Sequence, residues 1–491
     1  MGRYTYNRPK CLISVSGINI LQSVNIAFPK AYFTIIGDYK FEILRTYLNS
    51  IVNDFEYNLI RANGEGSIAG MNDAINSLNP LEETAITWSD LYYVSRISYP
   101  NSGNNLIALI NSDKCRFSFY DGKIKEKQSS QNGIIGLFIL KNLRQLQDLP
   151  KEGEFVRYLQ NNDIRLEPFW PENVTEIGTL EKFRTAIRSN FNSRFFNKIE
   201  IRGDSVIKKP RGKYGSRRLL DEIGWYRFME SHGYGEIPNI TSLNPLVMER
   251  VKGNHPFQMS ANPTEKEVII TRILEALKDM HKLGASPVDN KALWDTYVRK
   301  TLERVVPVTK TLNISTKKKI NLNGKKILTI SPKDEDVIRN LVEKLEKLNS
   351  FYPIHGDPTF SNTLIKKNFS VIFIDPRGYF GSSKIFGDAR YDVAKVYYSA
   401  IGDYDQLNLQ NYELRVNGND ITLRIASSGF KNTENIFEKE IKWEMSDIKI
   451  LHSLIWLSLS GYLINDVDAM IAAYLRGLEL LNELGSQYGL F

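Results

Sequence analysis

Ile354-His355-Gly356-Asp357-Pro358-Thr359-Phe360-Ser361-Asn362, then the apolar run Val371–Ile374 and Asp375-Pro376-Arg377, is the stretch on which the fold turns. Phosphoryl transfer to a hydroxyl needs an acidic group to accept or orient the hydroxyl proton. It also needs oxygen ligands to hold Mg²⁺ against nucleotide phosphates, and a lysine to neutralise them. Asp357 suits the first task; Asn362, five residues on, can reach back to the metal; Asp375, at the end of the next strand, supplies a hard carboxylate. An exposed turn with a strand-end cap would not require three such polar residues bracketing apolar strands.

The segment resembles the aminoglycoside phosphotransferase and choline kinase family, whose signature is His-Gly-Asp, four residues, Asn, then a hydrophobic strand and Asp. The resemblance covers about residues 195–480. It implies a bilobal α+β protein-kinase-like fold, with Asp357 as catalytic base and Asn362 and Asp375 as magnesium ligands. His355 would be a structural member of the loop. Gly387-Asp388 and Tyr391-Asp392 match the later family pattern, in which the second Asp braces the catalytic loop.

Upstream, Ile199–Ile201, a turn at Arg202-Gly203-Asp204 and Ser205–Lys209 read as a β-hairpin, followed by a basic loop and a helix, Arg217–Ser231. In kinase-like folds a strand lysine holds the α and β phosphates and pairs with a helix glutamate. Lys208, Lys209 and Glu222 stand at those places. Adjacent strand residues face opposite sides, so only one of the two lysines can enter the cleft; the likeness of Lys-Pro-Arg-Gly to the family's strand ending favours Lys209. Leu246–Gly253 resembles the family's hinge, where backbone groups around Glu249–Val251 would bind the nucleobase. Arg377 departs from the plainest members. It could clamp a phosphate or carboxylate of the substrate, or pair with a neighbouring acid.

Residues 1–190 alternate short apolar strands (Phe33–Gly37, Tyr57–Arg61, Ala85–Thr87, Leu106–Ile110, Gly136–Leu140) with helical periods at Phe41–Val52 and Ile68–Leu78, which predicts a mostly parallel α/β sheet. From Glu265 helical periods dominate: Glu265–Leu283, Trp294–Val305, Glu335–Leu348 and about 438–484. A boundary is expected near residues 190–197. Arg8–Ile13, Ile35–Tyr39, Gly66–Gly70, Thr87–Asp90 and Glu176–Thr179 together resemble the sugar-phosphate nucleotidyltransferases. That likeness implies a Rossmann-like domain in which Asp90 and Glu176 hold Mg²⁺ and Lys10 contacts a triphosphate or sugar phosphate. The family's opening strand and Gly-rich loop are missing, with Gly2-Arg3-Tyr4 as their remnant. A sheet without that central strand exposes two unpaired edges. Either the protein starts upstream or the domain is a degenerate binding or scaffolding unit.

At 491 residues, 42% apolar and 24% charged, the chain has material for more than one core, which excludes disorder and coiled coil as its dominant character. No apolar run approaches the roughly 18 residues that span a bilayer, and MGRYTYNRPK has no apolar core of a secretory signal. Two cysteines far apart make a reduced, cytoplasmic compartment the default. The net charge of +8 is modest and mostly dispersed, apart from Lys208–Arg218, Lys317–Lys319 and Lys325–Lys326. No base-stacking or groove-reading motif accompanies it, so no nucleic-acid partner is expected; basic clusters near a cleft could attract phosphorylated substrates.

The sequence therefore leads to two parts. Residues 1–192 are expected to form a nucleotidyltransferase-like domain, and 193–491 a kinase-like phosphotransferase with a small lobe to about 253 and a helical lobe behind it. The expected activity is ATP- and Mg²⁺-dependent phosphorylation of a small-molecule alcohol (a sugar, polyol or amino alcohol). By analogy with both families, it would feed surface polysaccharide or lipopolysaccharide precursors. The alternative is a non-catalytic protein that binds a nucleotide or sugar nucleotide.

Overall fold

The computed structural model describes residues 2–15, 17–50, 55–111, 114–146, 149–190, 197–314 and 318–488. The chain divides into two compact units, Met1–Phe191 with Asn465–Val467, and Asn192–Ile464 with Asp468–Phe491. The expected boundary region falls largely on 191–196, outside the described residues, as do the last two positions of the helix expected over Phe41–Val52.

In the first unit α1 (Ile20–Ala27), β1 (Phe33–Gly37), α2 (Phe41–Ser50), β2 (Tyr57–Arg61), α3 (Met71–Asn76), β3 (Thr84–Thr87), β4 (Leu91–Tyr93), β5 (Asn105–Ile110), β6 (Ser118–Tyr120), β7 (Lys123–Lys125) and β8 (Gly133–Leu140) follow in order. After them come α4 (Phe155–Asn161), β9 (Leu166–Phe169), β10 (Val174–Glu176) and α5 (Leu180–Asn190). The main sheet runs β9-β5-β8-β6-β7, with β3 also on β8. Strand β8 is buried along its whole length, and its alternation divides it between two cores. Ile135, Leu137 and Ile139 enter one; Ile134, Phe138 and Leu140 enter the other.

The expectation of a mostly parallel sheet needs correction. Among the described residues of this unit only β1 with β2 and β5 with β9 run parallel; β8 lies antiparallel to both β3 and β5. The cause is the connection. Parallel neighbours need a long crossover, usually a helix, and α2 supplies one between β1 and β2. Between β5 and β8 the chain carries only the β6–β7 hairpin, so it returns the other way. Among the described residues β1 pairs only with β2, and β3 only with β8. Both strands line a cavity of about 1960 Å³, walled also by Val24 of α1 and Ile75 of α3.

The second unit opens with a four-stranded antiparallel sheet built from β11 (Asn197–Arg202), β12 (Ser205–Pro210), β13 (Ile240–Leu243) and β14 (Leu246–Glu249), in the order β11-β12-β14-β13. Gly203, at φ 57°, makes the first turn. Helix α6 (Gly212–Ser231) follows β12 and buries Leu219, Glu222, Ile223, Trp225, Tyr226 and Met229. The basic loop expected before Arg217 is its first turn.

Behind the sheet lie α7 (Pro263–His281), α8 (Lys300–Thr311), the hairpin β15 (Thr363–Ile365) and β16 (Val371–Phe373), α9 (Ala389–Ala400), α10 (Met445–Ser460) and α11 (Val467–Tyr488). Asn262 and Glu265 form a capping box, with Pro263 in the first turn, which explains where α7 starts. The C-terminal helical period expected over about 438–484 breaks twice, between Glu440 and Met445 and after Ser460. Gly461 abuts the Arg304 backbone, where an added Cβ would meet Cα at 2.5 Å. The helix expected over Glu335–Leu348 stops at Val342. Two further antiparallel hairpins, Lys319–Leu328 and Tyr412–Ile425, joined by a short parallel pairing of Asn321 and Leu322 with Asp420 and Ile421, were not legible in the helical patterning. Among the described residues no helix is long and apolar enough to cross a membrane.

Candidate active site

Strand alternation decides the lysine. Lys208 lies opposite Ile199 of β11 and Leu246 of β14 and is only 3% exposed. Its Nζ donates to both Glu222 oxygens, at 2.7 and 2.9 Å, and is ion-paired with Asp375. Lys209 points the other way and pairs with Glu200 at 3.1 Å. The preference for Lys209 is thus corrected: register across the sheet outweighs the likeness of the residues that follow. Burial alone would lower the Lys208 pKa, but Asp375 and Glu222 reverse this and raise it, so the amine stays charged.

The loop carrying Asp357 is held from three sides. Trp225 Nε1 of α6 donates to Ile354 O at 2.8 Å. The backbone amides of His355 and Gly356 donate to the two oxygens of Asp392 on α9, at 2.8 and 2.7 Å. Gly356 sits at φ 78°, a left-handed position where a side chain would meet Arg377 Cβ at 2.9 Å. His355 Nε2 lies 3.1 Å from Ile374 O, and its Nδ1 accepts from the Asp357 amide at 3.2 Å. That pattern requires the neutral imidazole. Burial also pushes the His355 pKa down, so its work is structural.

Asn362 Nδ2 donates to Asp357 O at 2.8 Å and to Asp357 Oδ2 at 3.1 Å, while its backbone carbonyl accepts from Ile374 N at 2.9 Å. Asp375 follows β16 in a left-handed conformation, φ 56°. The structure therefore brings Asp357, Asn362, Asp375, Lys208 and Glu222 together. In the hinge, the Glu249 and Arg250 amides are committed to Asn239 O and Asp204 O, both at 2.8 Å. The Glu249 side chain is exposed and Val251 is half-buried just beyond the strand.

Asp375 and Asn362 could hold magnesium by their donor chemistry. The ion takes hard oxygen ligands at few protein positions and keeps waters and phosphate oxygens for the rest. Asp375 offers a carboxylate, and the Asn362 amide nitrogen is turned to Asp357, which aims its oxygen elsewhere. Among the described residues no group of three or more His, Cys, Asp or Glu gathers as a metal site, so the fit rests on this Asn–Asp pair.

Four cations at and around Asp357 and Tyr391 escaped the sequence reading or were left open by it. Lys395 pairs with Asp357 Oδ1 at 2.9 Å. Arg377 Nη1 donates to Tyr391 Oη at 3.2 Å, and Lys300 Nζ reaches the same oxygen at 3.5 Å. Arg304 follows Lys300 one turn later on α8. Lys395 was findable, since Tyr391, Asp392 and Lys395 share a helix face at three- and four-residue spacing. Lys300 and Arg304 carry no local signal.

In the first unit Lys10 pairs with Asp90 at 3.2 Å and Lys182 with Glu176 at 2.5 Å. The two carboxylates converge on Gly178, whose added Cβ would lie 2.9 Å from Asp90 Oδ2 and 3.0 Å from Glu176 Oε1.

No protein family matches the chain, and no curated protein does. Among solved structures, HddC from Yersinia pseudotuberculosis is 17% identical, with 37% of this chain and 90% of HddC covered, at a TM-score of 0.31. Wild-type aminoglycoside 2'-phosphotransferase-IIIa in its GDP complex is 14% identical, covering 60% and 91%, at 0.35. A choline/ethanolamine kinase family protein from Mesorhizobium loti is 13% identical, covering 59% and 91%, at 0.34.

Proposed function

We propose that residues 193–491 form an ATP- and Mg²⁺-dependent phosphotransferase acting on a hydroxyl of a small molecule. The convergence of Lys208 and Glu222 from the small lobe with Asp357, Asn362 and Asp375 from the helical lobe carries this reading. Lys208 neutralises nucleotide phosphates, and Glu222 holds it in place. The Val251 amide, first beyond the committed β14 backbone, meets the nucleobase together with the Glu249 carbonyl. Asn362 and Asp375 would hold Mg²⁺, which supplies neutralisation of phosphate charge. Asp357, fixed by Asn362 and Lys395, orients the acceptor hydroxyl. The acceptor oxygen forms a bond to the terminal phosphorus as the bond to the bridging oxygen breaks; the hydroxyl proton passes to Asp357 and ADP leaves.

The test is ADP release on incubation with ATP, Mg²⁺ and a panel of choline, ethanolamine, glycerol, glycerate and hexoses. Acceptor-dependent release that vanishes in Asp357→Asn supports the reading. Absence of nucleotide binding would overturn it. For residues 1–192 we infer a nucleotidyltransferase-like unit linked to sugar-nucleotide chemistry of surface polysaccharides. A non-catalytic binding role for that unit draws support from the lysines that already occupy Asp90 and Glu176.

A further inference from the structure

Three cations gather on one phenol beside Asp357, and a fourth, Arg304, stands one turn beyond Lys300. Around Tyr391, Lys300 Nζ lies 5.5 Å, Arg377 Cζ 5.7 Å and Lys395 Nζ 5.8 Å from the ring centroid. The Arg377 amide donates to His355 O at 2.9 Å, which locks this residue against the catalytic loop. The missing Cβ of Gly356 lets it approach closely. Lys300 and Arg304 stand one turn apart on α8 and so share a face.

Their partners are unusual. Lys395 has the Asp357 carboxylate. For Lys300, Arg304 and Arg377 no Asp or Glu lies within salt-bridge distance among the described residues. Their oxygen partners are the Tyr391 hydroxyl, whose ionised form these cations favour, and, for Arg304 Nη1, Ser458 O at 3.1 Å. All three are half-buried rather than spread into solvent. Gathering more half-buried positive charges than Asp357 and the Tyr391 phenol can offset is costly. The titration of the neighbours reports that excess. Burial, together with Arg377, Arg304 and Lys395, pulls Lys300 down to about 7, against the pull of Tyr391. Burial would raise the Tyr391 phenol, yet Lys300, Arg377 and Lys395 bring it below the usual range. Such a cluster suits an anionic group.

We propose that the acceptor alcohol carries an oxyanion, a carboxylate or a phosphate ester, which binds Lys300, Arg304 and Arg377 while its hydroxyl faces Asp357. This rests on the phosphotransferase reading and names its substrate class. It argues against cationic acceptors such as choline, ethanolamine or amino sugars, which the same charges repel. Arg377 suits a bidentate contact with a planar carboxylate or a phosphate.

The test is oxyanion binding by the full chain, measured by calorimetry with ADP and Mg²⁺ held saturating. The probes are inorganic phosphate and acetate, with choline as the cationic control. Wild type should bind one or both anions and not choline, and whichever binds tells phosphate from carboxylate. Arg377→Met and, separately, Lys300→Gln should each weaken that binding about tenfold to a hundredfold, the loss of one charge-assisted contact, with nucleotide affinity within about threefold. The second variant, on a different element, guards against misfolding of the first. Anion binding unchanged in both variants, or choline bound in preference, overturns the proposal. A loss of nucleotide affinity in place of anion affinity also overturns it, assigning the cations to the nucleotide. Failure of the phosphotransferase reading would look different: no binding of ADP or ATP by wild type, whatever the anions do.

Discussion

Asp357 is the residue on which the chemistry rests, and Asp357→Asn keeps its size and removes the proton acceptor. Turnover should drop about a hundredfold to ten-thousandfold, while calorimetry finds nucleotide affinity unchanged. The two lysines give a sharper contrast. Lys208→Met leaves Glu222 and Asp375 facing one another without their cation, which should cost about 3–5 kcal/mol in urea unfolding and abolish nucleotide binding. Lys209→Met removes only a pair with Glu200 at the sheet surface and should shift stability by less than about 1 kcal/mol. Reversed effects would refute the face assignment. Histidine sets a pH dependence. Burial lowers the pKa of His255, His355 and His452, so as pH falls past about 6.5 the unfolded chain takes up protons that the folded chain refuses. These histidines therefore lower stability from pH 7.5 to 5.5, while Asp405, raised to about 7 by burial, acts the other way. His452→Gln should lessen the fall, or steepen the rise, of the urea midpoint over that window, and an unchanged slope would contradict it. Asp357, Asn362 and Asp375 were legible because one loop and the next strand hold all three at fixed spacing. Lys208 was legible only as one of two, because the face a strand residue takes depends on pairing, and Lys300 and Arg304 reach the site from a helix distant in sequence.

At the scale of elements, α9 does more than pack. Its Asp392 takes two buried amides of the Asp357 loop, and Asp392→Ala would strand both, at about 1–3 kcal/mol each. Thermal unfolding should show the loss, and turnover should fall with it although Asp392 touches no reacting atom. Gly378 is a second joint. It sits at φ 69°, and an added Cβ would lie 2.2 Å from Asp221 O at the turn of α6 that carries Glu222. Gly378→Ala should thus displace the Glu222–Lys208 pair and raise the KM for nucleotide more than tenfold; an unchanged KM would show that α6 does not feel this turn. Strands such as Phe33–Gly37 and Tyr57–Arg61 were readable to the residue, because a short apolar run bounded by polar residues has few other uses. Their direction was not. Whether a strand returns parallel or antiparallel depends on whether a helix or a hairpin lies in the connection, and the β6–β7 hairpin was too short and too polar to be read as strand.

For the molecule as a whole, the cavity between β1 and β3 governs how evenly the first unit is held together. β5 and β8 have hydrogen-bonded neighbours on both sides and a core on each face. Among the described residues β1 and β2 have only each other, and Thr34 Oγ1, buried on β1, finds no partner. Deuterium should therefore enter the amides of Phe33–Gly37 and Tyr57–Arg61 well before those of Asn105–Ile110 and Gly133–Leu140, as a cooperative opening of lower free energy than global unfolding. Uniform protection across all four strands would show that side-chain packing alone secures β1. If the opening occurs, the weakest seam of the unit runs along the line where two strands stop short of touching, and heat would part that flap from the sheet first.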